Sequence, residues 1–160
     1  MKRFAAVIFM GMVIWALPGY AQFSDPAAAE LSATTVPQAQ LLQPAELAKM
    51  LNAHGSERPV MLQVGSFVMY QQAHIAGSGY AGPGSQTTGL QLLEKMAAHL
   101  AKDKLIVIYC GCCPWNHCPN IGPAYKKLHD LGFRNVKALY IAKNFGEDWV
   151  AKGYPSEKGN

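Results

Sequence analysis

Charged residues are scarce in this chain of 160 residues. Asp, Glu, Lys and Arg make up 15% of it, and its 14 basic residues are not gathered into any basic run. Because nucleic-acid binding needs a concentrated positive surface, the sequence argues against that class of partner. It also has no internal repeat, which excludes repeat architectures. The length and composition therefore predict one domain built around one core.

Long apolar runs are absent except at the N-terminus. Residues 4–17 are apolar, follow the basic Lys2 and Arg3, and precede small residues that end at Ala21. This run is shorter than the roughly 20 residues that cross a bilayer. The pattern predicts a signal peptide (residues 1–21) that is cleaved after Ala21, and so a periplasmic or secreted protein with no membrane contact after cleavage. An uncleaved membrane anchor is the alternative.

Strand and helix patterns alternate between residues 38 and 156, which we predict to be the folded domain. Residues 22–37 are rich in Ala, Ser, Thr and Pro and predict a flexible linker, and residues 157–160 predict a tail. Strands that are apolar on both faces are typical of a parallel sheet covered by helices. The glycine-rich residues 79–85 predict a mobile loop. The predicted strands are 38–42, 59–64, 105–109 and 135–140, and the predicted helices are 43–51, 67–73, 88–101, 123–131 and 145–152.

Cysteine is confined to one place. The four cysteines, Cys110, Cys112, Cys113 and Cys118, lie within nine residues, after an apolar strand and before a helix. Ligands bind at the carboxyl ends of strands in open α/β sheets, which makes Cys110 the candidate nucleophile. Backbone N–H groups and a helix N-terminus at such a turn favour the reactive thiolate.

Four segments resemble single-domain rhodaneses. Residues 60–65 correspond to the first core strand of that family, and residues 74–78 (His-Ile-Ala-Gly-Ser) are similar to its His-Ile-Pro-Gly-Ala turn. Residues 106–110 resemble the strand that ends in the catalytic cysteine, and residues 128–136 resemble the helix and strand that follow. The resemblance implies a rhodanese-like doubly wound α/β domain, with a central, mainly parallel sheet flanked by helices.

The resemblance also implies a function. Rhodaneses carry a sulfane sulfur as a persulfide on the cysteine that corresponds to Cys110 and pass it to a thiol or another acceptor. The amide groups that would stabilise the anionic sulfur belong here to Gly111, Cys112, Cys113, Asn120 and Ile121. The loop is about twice as long as the family's and lacks its usual arginine, so the sulfur donor stays open.

The other three cysteines admit three interpretations. Cys113 has the spacing from Cys110 of a resolving thiol. Cys112 or Cys113 could pair with Cys118 in a disulfide, as an exported protein allows. Alternatively, the thiols and His117 could hold a soft metal such as Cu(I) or Zn(II).

Two loop side chains and one residue before the helix complete the predicted site. Trp115 and His117 are candidates for the wall of a pocket, and Asn120 is predicted to cap the following helix. We expect a sulfurtransferase that acts on a small sulfur donor or a protein thiol and needs no cofactor. A thiol–disulfide oxidoreductase and a non-catalytic module that binds a metal or a partner are the rival hypotheses.

Overall fold

A five-stranded parallel sheet forms the centre of the protein. The structure, a computed structural model, describes residues 35–53 and 58–159. The predicted signal peptide, its cleavage site and residues 22–34 of the predicted linker lie outside these residues. The strands follow the order β1-β6-β5-β2-β4, and β3 and β7 pair separately as an antiparallel ribbon. The strands are β1 (Leu41–Leu42), β2 (Val60–Gln63), β3 (His74–Ile75), β4 (Gly79–Tyr80), β5 (Ile106–Tyr109), β6 (Val136–Leu139) and β7 (Ser156–Glu157).

Helices cover both faces of the sheet, as the apolar strands predict. Successive residues of a strand point to opposite faces. In β5, Ile106 and Ile108 therefore join the core under α3 and α4, whereas Val107 and Tyr109 join the core that contains α1 and Trp149. The predicted α/β fold is confirmed. The helices are α1 (Pro44–Asn52), α2 (Phe67–Gln72), α3 (Thr87–Ala97), α4 (Ile121–Asp130) and α5 (Phe145–Asp148), with short 3-10 turns at Gln38–Gln40, Trp115–His117 and Val150–Lys152.

Helices α3 and α4 each have one boundary that differs from the prediction by two residues or more. Helix α3 ends at Ala97, four residues early, because the chain tightens into turns in which Leu100 N–H donates to the Ala97 carbonyl. Helix α4 begins at Ile121, two residues before Pro123. Proline is tolerated there because N–H groups in the first turn of a helix have no partner within that helix.

The glycine-rich segment was wrongly predicted to be a mobile loop. Gly79 and Tyr80 form β4 and pair with β2, and Ala81 is fully buried. A Cβ on Gly84 would lie 2.1 Å from the Asn120 carbonyl oxygen. The glycine thus lets this segment press against the start of α4, next to the cysteine loop.

Residues near both ends of the predicted domain are ordered into the fold. Val36, in the predicted linker, is buried in the core, and Glu157, in the predicted tail, belongs to β7. The buried Trp149 donates its Nε1–H to the Pro155 carbonyl at 3.0 Å, which ties the C-terminal segment to the core. In the part of the chain described, no helix is both long and apolar enough to cross a membrane.

Candidate functional site

Strand β5 delivers Cys110 to the carboxyl edge of the sheet. The alternation of side chains along β5 turns Cys110 towards α4, on the same face as Ile106 and Ile108. The neighbouring strand β2 leads into Gly65, where an added Cβ would lie 2.9 Å from the Cys110 sulfur. The glycine therefore leaves the space that this sulfur occupies. Sequence reasoning did not assign Gly65 to the site, because nothing in the sequence alone shows which strand lies beside β5.

A left-handed residue then turns the chain back on itself. Gly111 has a φ of +78°, and its carbonyl accepts a hydrogen bond from Phe145 N–H at 3.1 Å. Side chains other than glycine rarely adopt this conformation. The turn places the Cys112 sulfur 3.2 Å from that of Cys110, with the Cys110 S–H as the donor.

Three of the four sulfurs form one cluster. The Sγ atoms of Cys110, Cys112 and Cys118 all lie within 4.8 Å of one another. Cys113 stays outside this set: its sulfur is 3.1 Å from that of Cys112 and 3.5 Å from the His117 carbonyl oxygen. All four are free cysteines. One of the three interpretations made Cys113 the resolving thiol of Cys110; in the structure the Cys110 S–H donates to the sulfur of Cys112.

Hydrogen bonds between the sulfurs shift their pKa values in opposite directions. Hydrogen bonds from Cys110 and then from Cys118 lower the pKa of the Cys112 thiol far below its usual range. The same interactions, together with burial, raise the pKa of Cys110. Cys110 and Cys118 are only 3% and 2% exposed, whereas Cys112 is half-buried. The sequence predicted an accessible Cys110 thiolate; in the structure Cys110 is buried and the pKa of its thiol is raised.

The predicted amide cradle serves a different sulfur from the one expected. The backbone groups of Asn120 and Ile121 lower the pKa of Cys118. The contact with the Cys110 sulfur is the largest single effect and also lowers this pKa, but the contact with the Cys112 sulfur and burial leave it raised overall. Stabilisation by backbone amides is therefore present in the loop, but it is not directed at Cys110.

Asn120 occupies the predicted N-cap position of α4, but its side chain belongs to the sulfur cluster. Its side chain makes no capping hydrogen bond to α4. Instead, its Nδ2 donates to the sulfurs of Cys110 at 3.4 Å and Cys112 at 3.8 Å. Its Oδ1 accepts from the backbone N–H and the hydroxyl of Ser85, at 3.1 and 2.9 Å. Ser85 thus orients a buried amide towards two thiols, a role with no signal in the sequence.

Cys110 lines two small cavities. The first, of about 130 Å³, lies between α2 and α5 and has no charged lining residue. The second, of about 10 Å³, lies beside Trp115, Cys113 and Cys118. Trp115 is partly buried there, while the His117 side chain is exposed. The first cavity is lined by Gln63, Met69, Gln72, Ala73, Cys110, Phe145, Gly146 and Val150.

Comparison with known structures identifies the architecture. The chain is similar to the crystal structure of the Alr3790 protein from Anabaena sp., with a TM-score of 0.57, 22% identity, and coverage of 74% of this chain and 92% of that one. It is also similar to the solution structure of the rhodanese-like domain of Alr3790, with a TM-score of 0.55, 21% identity, and coverage of 74% and 79%. The chain has the rhodanese-like fold.

A third structure shows a similar extent of likeness. The BH2092 protein from Bacillus halodurans aligns with a TM-score of 0.56 and 26% identity, covering 73% of this chain and 75% of that one. No protein-family model matches the sequence, and no curated protein is detectably similar to it. The fold predicted from the four resembling segments is thus confirmed by structure, at a level of sequence identity where fold is all that similarity establishes.

Proposed function

We propose that this rhodanese-fold domain is a sulfurtransferase that carries sulfane sulfur as a persulfide on Cys110. The observation that carries the proposal is the contact between the Cys110 and Cys112 sulfurs, 3.2 Å apart at the carboxyl end of β5. In an open α/β sheet this is the position where ligands bind. The Cys112 sulfur can accept the proton that Cys110 must lose to become a nucleophile, because only the thiolate is reactive.

The transfer proceeds in two steps, sulfur uptake by Cys110 and sulfur release to an acceptor. Cys110 gives its proton to Cys112 and attacks the outer sulfur of a donor R–S–S⁻; the sulfur–sulfur bond of the donor breaks and R–S⁻ leaves with the electron pair. The proton then passes from Cys112 to the leaving thiolate. An acceptor thiolate next attacks the outer sulfur of the Cys110 persulfide, and Cys110 leaves as a thiolate that is reprotonated. No net oxidation occurs, because the sulfane sulfur only changes its partner.

The donor is a small persulfide or polysulfide of an organic thiol. Cys110 is one of the residues that line the 130 Å³ cavity, together with Gln63, Gln72 and apolar side chains. A cavity without a cation gives no electrostatic compensation for a dianion such as thiosulfate. A thiol-bound sulfane sulfur has less charge to desolvate, so it suits this lining better.

Export is part of the proposal and rests on the N-terminal sequence pattern. A basic pair, a short apolar run and small residues before Gln22 have the order of a secretory signal. The protein would then act in the periplasm or outside the cell. Mass measurement of the protein recovered from its native host tests this, with a mature N-terminus at Gln22 as the expected result and an intact Met1 as the contradicting one.

Mass spectrometry tests the sulfur carrier directly. The reduced protein is incubated with glutathione persulfide, desalted and digested under non-reducing conditions. The expected result is a gain of about 32 Da, one sulfur atom, on the peptide that contains Cys110. Cys110→Ser should abolish the gain. Cys113→Ser is the matched control, because Cys113 lies in the same loop but outside the three-sulfur cluster, and it should keep the gain.

Two results would overturn the assignment. One is wild-type sulfur uptake by Cys110→Ser. The other is a glutathione mixed disulfide on Cys112 with no sulfur added to Cys110, which would favour thiol–disulfide exchange as the activity.

A further inference from the structure

We propose that Cys110, Cys112 and Cys118 also form a trigonal site for the soft monovalent cation Cu(I). The three sulfurs come from two ends of the loop and meet within 4.8 Å of one another. Soft thiolate ligands select Cu(I) over hard cations. The site shares Cys110 and Cys112 with the proposed sulfur transfer but does not rest on it, because it also needs Cys118, which the transfer steps do not use.

The spacing of the sulfurs matches such an ion. If a metal sits about 2.3 Å from each of three thiolates in one plane, the sulfurs are about 4.0 Å apart. The Cys110–Cys112 separation is 3.2 Å, and no pair in the cluster exceeds 4.8 Å. Each sulfur therefore has to move by less than about 1 Å to enclose the ion. Binding releases the thiol protons to solvent and leaves three thiolates on one cation.

The number of ligands favours Cu(I) over Zn(II). Zinc in protein sites is almost always four-coordinate, whereas Cu(I) is satisfied by three thiolates. Among the residues that the structure describes, no histidine or carboxylate joins these three sulfurs, and Cys113 does not lie within the common 4.8 Å limit. His117, which the sequence offered as a ligand, has an exposed side chain. Cys110 and Cys118 are almost fully buried, which shields the ion from a water ligand and from oxidants.

A buried amide supports the thiolate ligands. Asn120 directs its Nδ2 at the sulfurs of Cys110 and Cys112, and Ser85 holds the amide in that orientation through its other end. Such hydrogen bonds partly neutralise the negative charge that three thiolates and one Cu⁺ leave behind. The side chain is 6% exposed, so water competes little for these donors.

An anaerobic competition titration tests the site. The reduced full chain is titrated with Cu(I) in the presence of the chromogenic chelator bicinchoninate, and X-ray absorption is recorded on the complex. We expect one Cu(I) per chain, with three sulfur neighbours at about 2.3 Å. Cys118→Ser should remove the site, whereas Cys113→Ser, the control from the same loop, should leave the affinity unchanged. Asn120→Ala should weaken binding by about 10-fold while keeping three sulfur neighbours.

The circular dichroism spectrum of each variant shows whether it is folded; if Cys118→Ser is unfolded, Asn120→Ala and the sulfur count decide. Failure of the wild-type chain to hold Cu(I) against the chelator would overturn the inference. So would a first shell of two sulfurs, an equal loss of affinity in Cys113→Ser, or retention of Zn(II) when equimolar Cu(I) is added. None of these results bears on the gain of sulfur at Cys110, so the two proposals fail separately.

Discussion

Replacement of Gly111 by alanine tests whether the turn that assembles the sulfur cluster is as tightly determined as the structure indicates. Gly111 has a φ of +78°, and a Cβ there would lie 2.6 Å from Phe145 Cβ and 3.2 Å from Phe145 N. The positive φ costs about 1–2 kcal/mol for a residue that carries a side chain. The overlap of the new Cβ with Phe145 typically costs about 1–3 kcal/mol more, because the region is packed. We therefore expect Gly111→Ala to lower the free energy of unfolding by about 2–5 kcal/mol.

Gly132 provides the matched control. It has a φ of +85° and ends α4, where Phe133 N–H donates to the Leu128 carbonyl and Gly132 N–H to that of His129. An added Cβ would meet nothing within 4 Å. Gly132→Ala should therefore show the conformational cost alone, about 1–2 kcal/mol. The difference between the two variants isolates the overlap with Phe145.

Urea unfolding followed by far-ultraviolet circular dichroism measures both variants. The midpoint of Gly111→Ala should fall further than that of Gly132→Ala, with the same slope in both. Because the Gly111 turn sets the distance between Cys110 and Cys112, sulfur uptake by Gly111→Ala should also be reduced, and that by Gly132→Ala should not. Losses of stability equal within about 0.5 kcal/mol would refute the reasoning, because they would show that Phe145 yields without cost.

Three further substitutions test the energetics of the core and the surface. Tyr109→Phe should cost about 2 kcal/mol, since the buried Ser78 hydroxyl, 2.7 Å from the tyrosine oxygen, loses its partner. Trp149→Ala should cost about 3–5 kcal/mol, because this side chain is fully buried. Lys126→Ala should change stability by less than about 0.5 kcal/mol, because both side chains of its ion pair with Asp130 are mostly exposed to solvent. Urea midpoints measure all three, and a loss in Lys126→Ala that equals the loss in Tyr109→Phe would contradict the role assigned to burial.

The fold was accessible from the sequence because its signals are local. Buried parallel strands are apolar on both faces, so the runs at β2, β5 and β6 were recognisable without their partners. The end of α4 was equally clear, since Gly132 closes it in a left-handed conformation. The Gly79–Tyr80 strand was missed because its pairing with β2 depends on a distant segment, and glycine in isolation indicates a loop.

The site was predictable in its composition but not in its electrostatics. The sequence places four thiols in one loop after a strand, and the structure confirms that placement. Which thiol meets which depends on Gly111, whose turn brings Cys112 to Cys110 and leaves Cys113 aside. The orientation of Asn120 depends on Ser85, which is 35 positions away in the chain. Contacts between such distant segments leave no trace in the spacing of a single sequence.

Burial of Cys110 links the two proposed properties. An isolated thiol at 3% exposure would resist ionisation, because an apolar environment disfavours the thiolate. Here the Cys112 sulfur accepts the proton at 3.2 Å, so the cluster can supply a nucleophile without exposing Cys110 to bulk water. The same contact lets both sulfurs face one small cation. Sulfur transfer and Cu(I) binding therefore compete for Cys110, and a bound Cu(I) should block persulfide formation because it occupies the electron pair with which Cys110 would attack the donor.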